Sequence, residues 1–135
     1  GRFGLRFTLA CPEGYELDQP FLETLARECP TLALAQTHDP QAAVKDAQVI
    51  YSDVWASMGQ EEEAQQRRET FMPFQINAQL MAGAPGDARF MHCLPAHRGE
   101  EVTDEVMEAA NSVVFDQAEN RMHFYRGLFA QLLGV

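Results

Sequence analysis

Residues 89–98 read Arg89-Phe90-Met91-His92-Cys93-Leu94-Pro95-Ala96-His97-Arg98, a short apolar run that stops at a proline, with two more cationic side chains beyond it. A run of this length that does not alternate strictly between apolar and polar fits a strand covered on both faces, as in a parallel sheet. Four other stretches share the character: Leu5 to Ala10, Leu32 to Gln36, Val49 to Val54 and Ser112 to Phe115. Longer segments of helical character separate them, and the alternation continues to the last residue. That is the pattern of an α/β domain with a parallel sheet. The expectation is a Rossmann-like three-layer domain with a mainly parallel sheet of about five strands.

The intervening segments carry local helix signals. Asp18 to Cys29 places Phe21, Leu22, Leu25 and Ala26 on one helical stripe, and Asp39-Pro40 reads as an N-cap followed by proline at the first helical position. Glu61 to Glu69 is almost wholly polar, and Ser57 to Arg68 is the best candidate for a mobile loop. Pro73 to Ala84 carries an apolar face, and Gly83-Ala84-Pro85-Gly86 makes a turn. Thr103 is placed to cap a short, acidic-started helix ending near Ala110. The last helix, about Glu119 to Leu133, aligns Met122, Tyr125, Phe129, Leu132 and Leu133, a stripe suited to docking on something apolar.

Composition narrows the classes. A chain of 135 residues with 46% apolar content builds one compact domain. A net charge of −10 repels phosphate backbones and anionic lipid, so neither nucleic acid nor membrane is an expected partner. No apolar run approaches the roughly 20 residues needed to span a bilayer, and Gly1-Arg2-Phe3-Gly4 opens no signal peptide, so a cytoplasmic location is expected. Three widely spaced cysteines, Cys11, Cys29 and Cys93, do not form a disulfide framework.

Ligands of an open parallel sheet bind outside the carboxyl ends of its strands. Asp53 and Trp55 follow the third run; His92, Cys93, Leu94, His97 and Arg98 close or follow the fourth; Asp116, Glu119, Asn120 and Arg121 follow the fifth. Three turns would converge on one edge. Cys93 is either a small buried hydrophobe or a functional thiol, its pKa open to lowering by an electropositive setting of His92, His97 and Arg98. Asp53, ending a buried strand, either binds a cation or caps a neighbouring turn. Arg121, in the first turn of the last helix, points to an anionic partner or to an ion pair with Glu119 or Asp116. No C-x-x-C, H-E-x-x-H, G-x-G-x-x-G, G-x-x-x-x-G-K-[ST] or G-x-S-x-G pattern occurs, so metal, dinucleotide, nucleotide and serine-hydrolase chemistry lack a signal.

Three motifs are more specific. Asp53-Val54-Trp55-Ala56-Ser57-Met58-Gly59-Gln60-Glu61 resembles the ornithine-side loop of ornithine carbamoyltransferases. The segment from Phe90 through His92-Cys93-Leu94-Pro95 to Val106 resembles the family's His-Cys-Leu-Pro segment, and Val114 to His123 is similar to its C-terminal signature. The motifs keep the family's order, and the likeness covers nearly the whole chain. It implies transfer of a carbamoyl group from carbamoyl phosphate to the δ-amine of L-ornithine, giving L-citrulline and phosphate, with no cofactor and no metal. By position it implies that Asp53 pairs with the ornithine α-ammonium and that Ser57 and Met58 line the amino-acid pocket. Cys93 would lie beside the δ-amine, Leu94 would contribute backbone contacts to carbamoyl phosphate across a cis Leu94-Pro95 bond, and Arg121 would hold the carbamoyl oxygen as negative charge develops on it. His92 and His97 are expected to be structural. Ser57-Met58-Gly59 favours ornithine over putrescine.

The family's Ser-Thr-Arg-Thr-Arg and His-Pro-Thr-Gln segments, which serve carbamoyl phosphate from another domain, do not occur in these residues. The resemblance therefore implies a single ornithine-binding domain over residues 1–135, short of the family's first strand, whose loss leaves a gap between the first and third runs. Such a piece is expected to be inactive alone, its parent a homotrimer or larger. Two other readings stand beside it: a free-standing binding or regulatory module, and a redox-sensing thiol domain built on an exposed, acidic Cys93.

Overall fold

A computed structural model of the chain describes residues 3–56 and 61–134. Four strands and six helices follow in the order β1 (Arg6–Ala10), α1 (Gln19–Glu28), β2 (Ala33–Thr37), α2 (Pro40–Val44), β3 (Val49–Ser52), α3 (Glu61–Phe71), a 3-10 turn (Met72–Phe74), α4 (Ala78–Ala82), β4 (Arg89–His92), α5 (Asp104–Met107) and α6 (Val114–Leu133). Every strand pair is parallel, and the α/β alternation is the expected one.

Short polar side chains start the helices. Asp18 accepts the Phe21 N–H at 2.7 Å to begin α1, Asp39 accepts from Gln41 and Ala42 to begin α2, and Asn77 accepts the Leu80 N–H at 2.9 Å to begin α4. Each satisfies a donor that the first helical turn leaves free. Thr103 precedes α5 without a side-chain cap, and the helix ends at Met107 rather than near Ala110. The polar stretch after residue 60 is a helix rather than a mobile loop. Pairs four residues apart, Glu63 with Arg67 and Gln65 with Glu69, supply side-chain support on its surface. Residues 57–60 of the expected loop lie outside the described residues.

The sheet is made of two separate pairs, β1–β2 and β3–β4. The first and third runs, between which a gap is expected, fall in different pairs and are not hydrogen-bonded to each other as strands. Each pair consists of edge strands only, and Phe7, Val49 and Tyr51 on them are each about half exposed, so unpaired backbone and apolar surface are both presented. The fifth expected strand contributes a single parallel bridge, Ser112 to Phe90, and the chain turns into α6 at Val114. A four-residue apolar run is ambiguous between strand and buried helix, and here Val114, fully buried, packs as the first residue of the helix.

The core gathers on the β3–β4 pair: Ile50, Phe90, Val114, Ile76, Leu80, Val102, Val106 and Met107 form one cluster with Val44. Burial of each such side chain contributes about 1.5–3 kcal/mol by transfer from water. By contrast α1 buries no residue fully, and the stripe on α6 lies open, Phe129 at 59% and Leu133 at 73% exposure. Nothing covers these two side chains among the described residues. No helix among them is long and apolar enough to cross a membrane.

Candidate functional site

The carboxyl ends of β3 and β4 lie side by side because the two strands pair in register from Val49↔Arg89 to Ser52↔His92. The next residue of each strand therefore meets the other. Asp53 Oδ1 accepts the Val54 N–H at 2.8 Å and the Cys93 thiol at 3.0 Å. Arg121, reaching back from α6, donates to the Cys93 carbonyl at 3.1 Å. Three residues singled out from three different turns are thus joined through Cys93. Ser57 and Met58, assigned to the same pocket by resemblance, lie outside the described residues.

A second tier holds these groups. Gln117, in the first turn of α6, accepts the His92 N–H at 3.1 Å and donates to the Tyr51 hydroxyl at 3.4 Å. Tyr51 shares a strand face with Asp53, two residues on, and its hydroxyl borders Cys93. Leu94 has a left-handed backbone, φ +54°, and the Leu94-Pro95 peptide is cis, as expected. An open cleft of about 420 Å³ beside α6 is lined by Met91, Gln117, Asn120, Arg121, Phe124 and Tyr125. It contains Arg121 but neither Asp53 nor Cys93, which sit at its margin through the Arg121 contact.

Electrostatics departs from the sequence reading. Burial pushes the Cys93 thiol above its ordinary value, the hydrogen bond to Asp53 and that group's charge push it further, and a hydrogen bond with Tyr51 opposes them in part. Tyr51 is also raised, first by burial, against the lowering influence of Gln117. The electropositive setting expected around Cys93 does not form. His92 turns inward to Glu101, His97 faces Glu100, and Arg98 is bound by Asp104 and Glu108. A thiol held protonated by a carboxylate is poorly suited to redox sensing. Asp53 is exposed rather than buried, as are Val49 and Tyr51, which share its strand face. Arg121 is not in the first turn of α6: with the helix starting at Val114 it lies two turns in, so its role comes from the Cys93 carbonyl and not from the helix terminus.

His97, Glu100 and Glu101 bring three donor atoms within 4.8 Å of one another. Glu100 is paired with Arg68 at 2.8 Å and Glu101 Oε1 accepts the His97 N–H, so these partners account for the cluster. Sequence reading passed over Tyr51, Gln117 and Glu101. Strand parity with Asp53 was a signal for Tyr51. Nothing in Glu100-Glu101 marks which of the two glutamates turns inward.

Comparison with known proteins bears on the same residues. Residues 1–132 match the family model described as aspartate/ornithine carbamoyltransferase, Asp/Orn binding domain. The chain is 53% identical over 135 residues to an ornithine carbamoyltransferase of Thermococcus kodakarensis, an alignment covering 98% of this chain and 43% of that protein. Among solved structures, it is similar to the ornithine carbamoyltransferase from Pyrococcus furiosus, at TM-score 0.80 and 54% identity over 93% of this chain and 41% of that one. It is also similar to the anabolic ornithine carbamoyltransferase from Campylobacter jejuni, at TM-score 0.85 and 32% identity over 97% and 44%. The chain thus spans less than half the length of the relatives it matches.

Proposed function

Since the chain belongs to the aspartate/ornithine carbamoyltransferase family through that family's Asp/Orn-binding domain, we propose that it is the ornithine-binding half of an ornithine carbamoyltransferase. The observation that carries this reading is the Asp53–Cys93–Arg121 linkage, which sets a carboxylate, a neutral thiol and a guanidinium around one strand end. A carboxylate receives the α-ammonium of an amino acid, and a guanidinium stabilises the oxygen of a carbonyl under attack.

In this reaction the neutral δ-amine attacks the carbamoyl carbon, a C–N bond forms, the C–O bond to phosphate breaks, and the proton shed by the amine leaves with the departing phosphate. Protonated, that amine has no lone pair, and its unperturbed pKa lies near that of lysine, about 10.4. A thiol kept protonated cannot serve as a thiolate base; the Cys93 sulfur instead orients the amine by weak hydrogen bonding. Ornithine's α-ammonium takes over Asp53 Oδ1 and frees the thiol to face the amine. Ser57 and Met58 complete the amino-acid pocket, and Leu94 presents its backbone to carbamoyl phosphate. The groups that hold phosphate come from another domain, so these 135 residues alone transfer no carbamoyl group.

The test joins this domain to a carbamoyl-phosphate-binding half and follows citrulline. The joined protein should form citrulline from ornithine and far less product from putrescine. Asp53→Asn should raise the ornithine KM by about 10–100-fold, the worth of one charged hydrogen bond. Full-affinity ornithine binding by the 135-residue chain, with no citrulline from the joined protein, would establish the free-standing module instead. Preference for putrescine would overturn the substrate assignment.

A further inference from the structure

His92 and Glu101 are the buried polar side chains of the core, at 1% and 0% exposure. Neither touches Asp53 or Arg121, and a carboxylate enclosed this way costs several kcal/mol unless it is compensated. What compensates it is the turn that displays the site. The Leu94 N–H donates to His92 Nδ1 at 2.9 Å, and the His97 N–H donates to Glu101 Oε1 at 2.6 Å. The two side chains lie against each other, His92 Nε2 to Glu101 Oε1 at 3.3 Å, without hydrogen-bond alignment, and among the described residues neither His92 Nε2 nor Glu101 Oε2 has a hydrogen-bond partner. Nδ1, accepting an amide hydrogen, carries no proton. The imidazole proton therefore sits on Nε2, on the side of the carboxylate.

Both ends of the 94–97 turn are thus gripped by one buried pair, and the pair is itself anchored. The Glu101 carbonyl accepts the Ile76 N–H at 2.9 Å, and the His92 N–H is held by Gln117 on the helix that carries Arg121. Leu94 needs such a grip, because a non-glycine residue in the left-handed region costs about 1–2 kcal/mol. Burial raises the Glu101 carboxyl, but the adjoining His92 ring and the backbone N–H donors of His97 and of Glu101 itself outweigh it, so the group lies below its ordinary value and stays ionised. An apolar pair of the same volume would fill this space at lower electrostatic cost, which makes filling alone a poor account of these two residues.

We propose that His92 and Glu101 are positioning residues, a neutral imidazole and a carboxylate that clamp the 94–97 turn so that Cys93 and the Leu94 backbone meet the reacting groups. This rests on the carbamoyltransferase reading for its consequence, though not for its geometry. The two side chains touch no substrate; they act through the turn.

The test compares three variants in the enzyme with both halves present. In His92→Asn the amide oxygen stands in for Nδ1 and still accepts from Leu94. In His92→Gln the amide reaches toward Glu101 and abandons Leu94, and Glu101→Gln sets a donor against the Nε2 proton. Misplacing reacting groups by about 1 Å costs up to ~100-fold, so His92→Gln and Glu101→Gln should lower kcat by about 10–100-fold, with ornithine KM little changed and His92→Asn recovering most of the loss. Equal losses in His92→Asn and His92→Gln, or wild-type kcat in all three, would overturn the clamp. Nitrogen-15 spectra of the unaltered chain supply a reading that needs no variant: His92 should be protonated at Nε2 and bare at Nδ1, and the opposite tautomer or an imidazolium overturns the clamp. If the unaltered joined enzyme forms no citrulline, the carbamoyltransferase reading falls, while the tautomer still decides the geometry.

Discussion

Replacing Asp53 by Asn removes one charge 3.0 Å from the Cys93 sulfur and keeps an oxygen there to accept the thiol hydrogen. Asp53 is exposed, so a water-like dielectric applies, and 332/(80 × 3.0) gives about 1.4 kcal/mol of repulsion between carboxylate and thiolate. Its loss multiplies the thiolate fraction by about ten at any pH below the thiol pKa. A more acidic thiolate is also a weaker nucleophile, with a Brønsted slope of about 0.4–0.5, which returns a factor of about three. The expected net effect is a three- to fourfold faster reaction of Cys93 with an aromatic disulfide at neutral pH. Site-resolved mass spectrometry follows the three cysteines separately, and Cys29, half-buried and far along the chain, is the internal reference. A Cys93 rate that is unchanged or slower, with Cys29 constant, would show that burial alone sets the thiol and that the carboxylate has no part in it.

Glu101 has a pKa lowered from 4.5, so its ionised form stabilises the fold above about that pH, and the contribution disappears as pH falls through the lower folded value. Urea unfolding of the chain and of Glu101→Gln should therefore show a stability gap that is widest at neutral pH and closes on acidification; a gap independent of pH would refute the ionised assignment. Phe90, fully enclosed at the centre of the cluster, should cost about 3–5 kcal/mol when replaced by Ala, read as a shift of the urea midpoint at constant slope. A loss under about 1 kcal/mol would mean the core is not packed around β4.

The break in the sheet has a physical consequence for handling the chain. Two parallel pairs carrying half-exposed Phe7, Val49 and Tyr51, and an open apolar stripe on α6, offer both backbone and side-chain surface for association. Asp53 is exposed, and a wet carboxylate pairs more weakly with an ammonium than an enclosed one.

Much of this protein is legible in local sequence, because the forces that decide it act over a few residues. Alternating apolar runs and helical stripes specify an α/β domain, Asp18, Asp39 and Asn77 each bond an amide two or three residues on, and the motifs around Asp53, Cys93 and Arg121 identify the family. Other features depend on partners brought from far along the chain. Whether Ser112 to Phe115 continues as strand or enters a helix was settled by the burial of Val114. The direction of the Cys93 shift was settled first by burial and then by a carboxylate 40 residues away, while the nearby cations turned to other acids. Glu101 became a clamp rather than a surface charge because β4 carried His92 into the core beside it. Periodicity and capping are written in neighbouring residues, whereas burial and charge pairing exist only once distant segments share a dielectric, and those are what set the chemistry of the site.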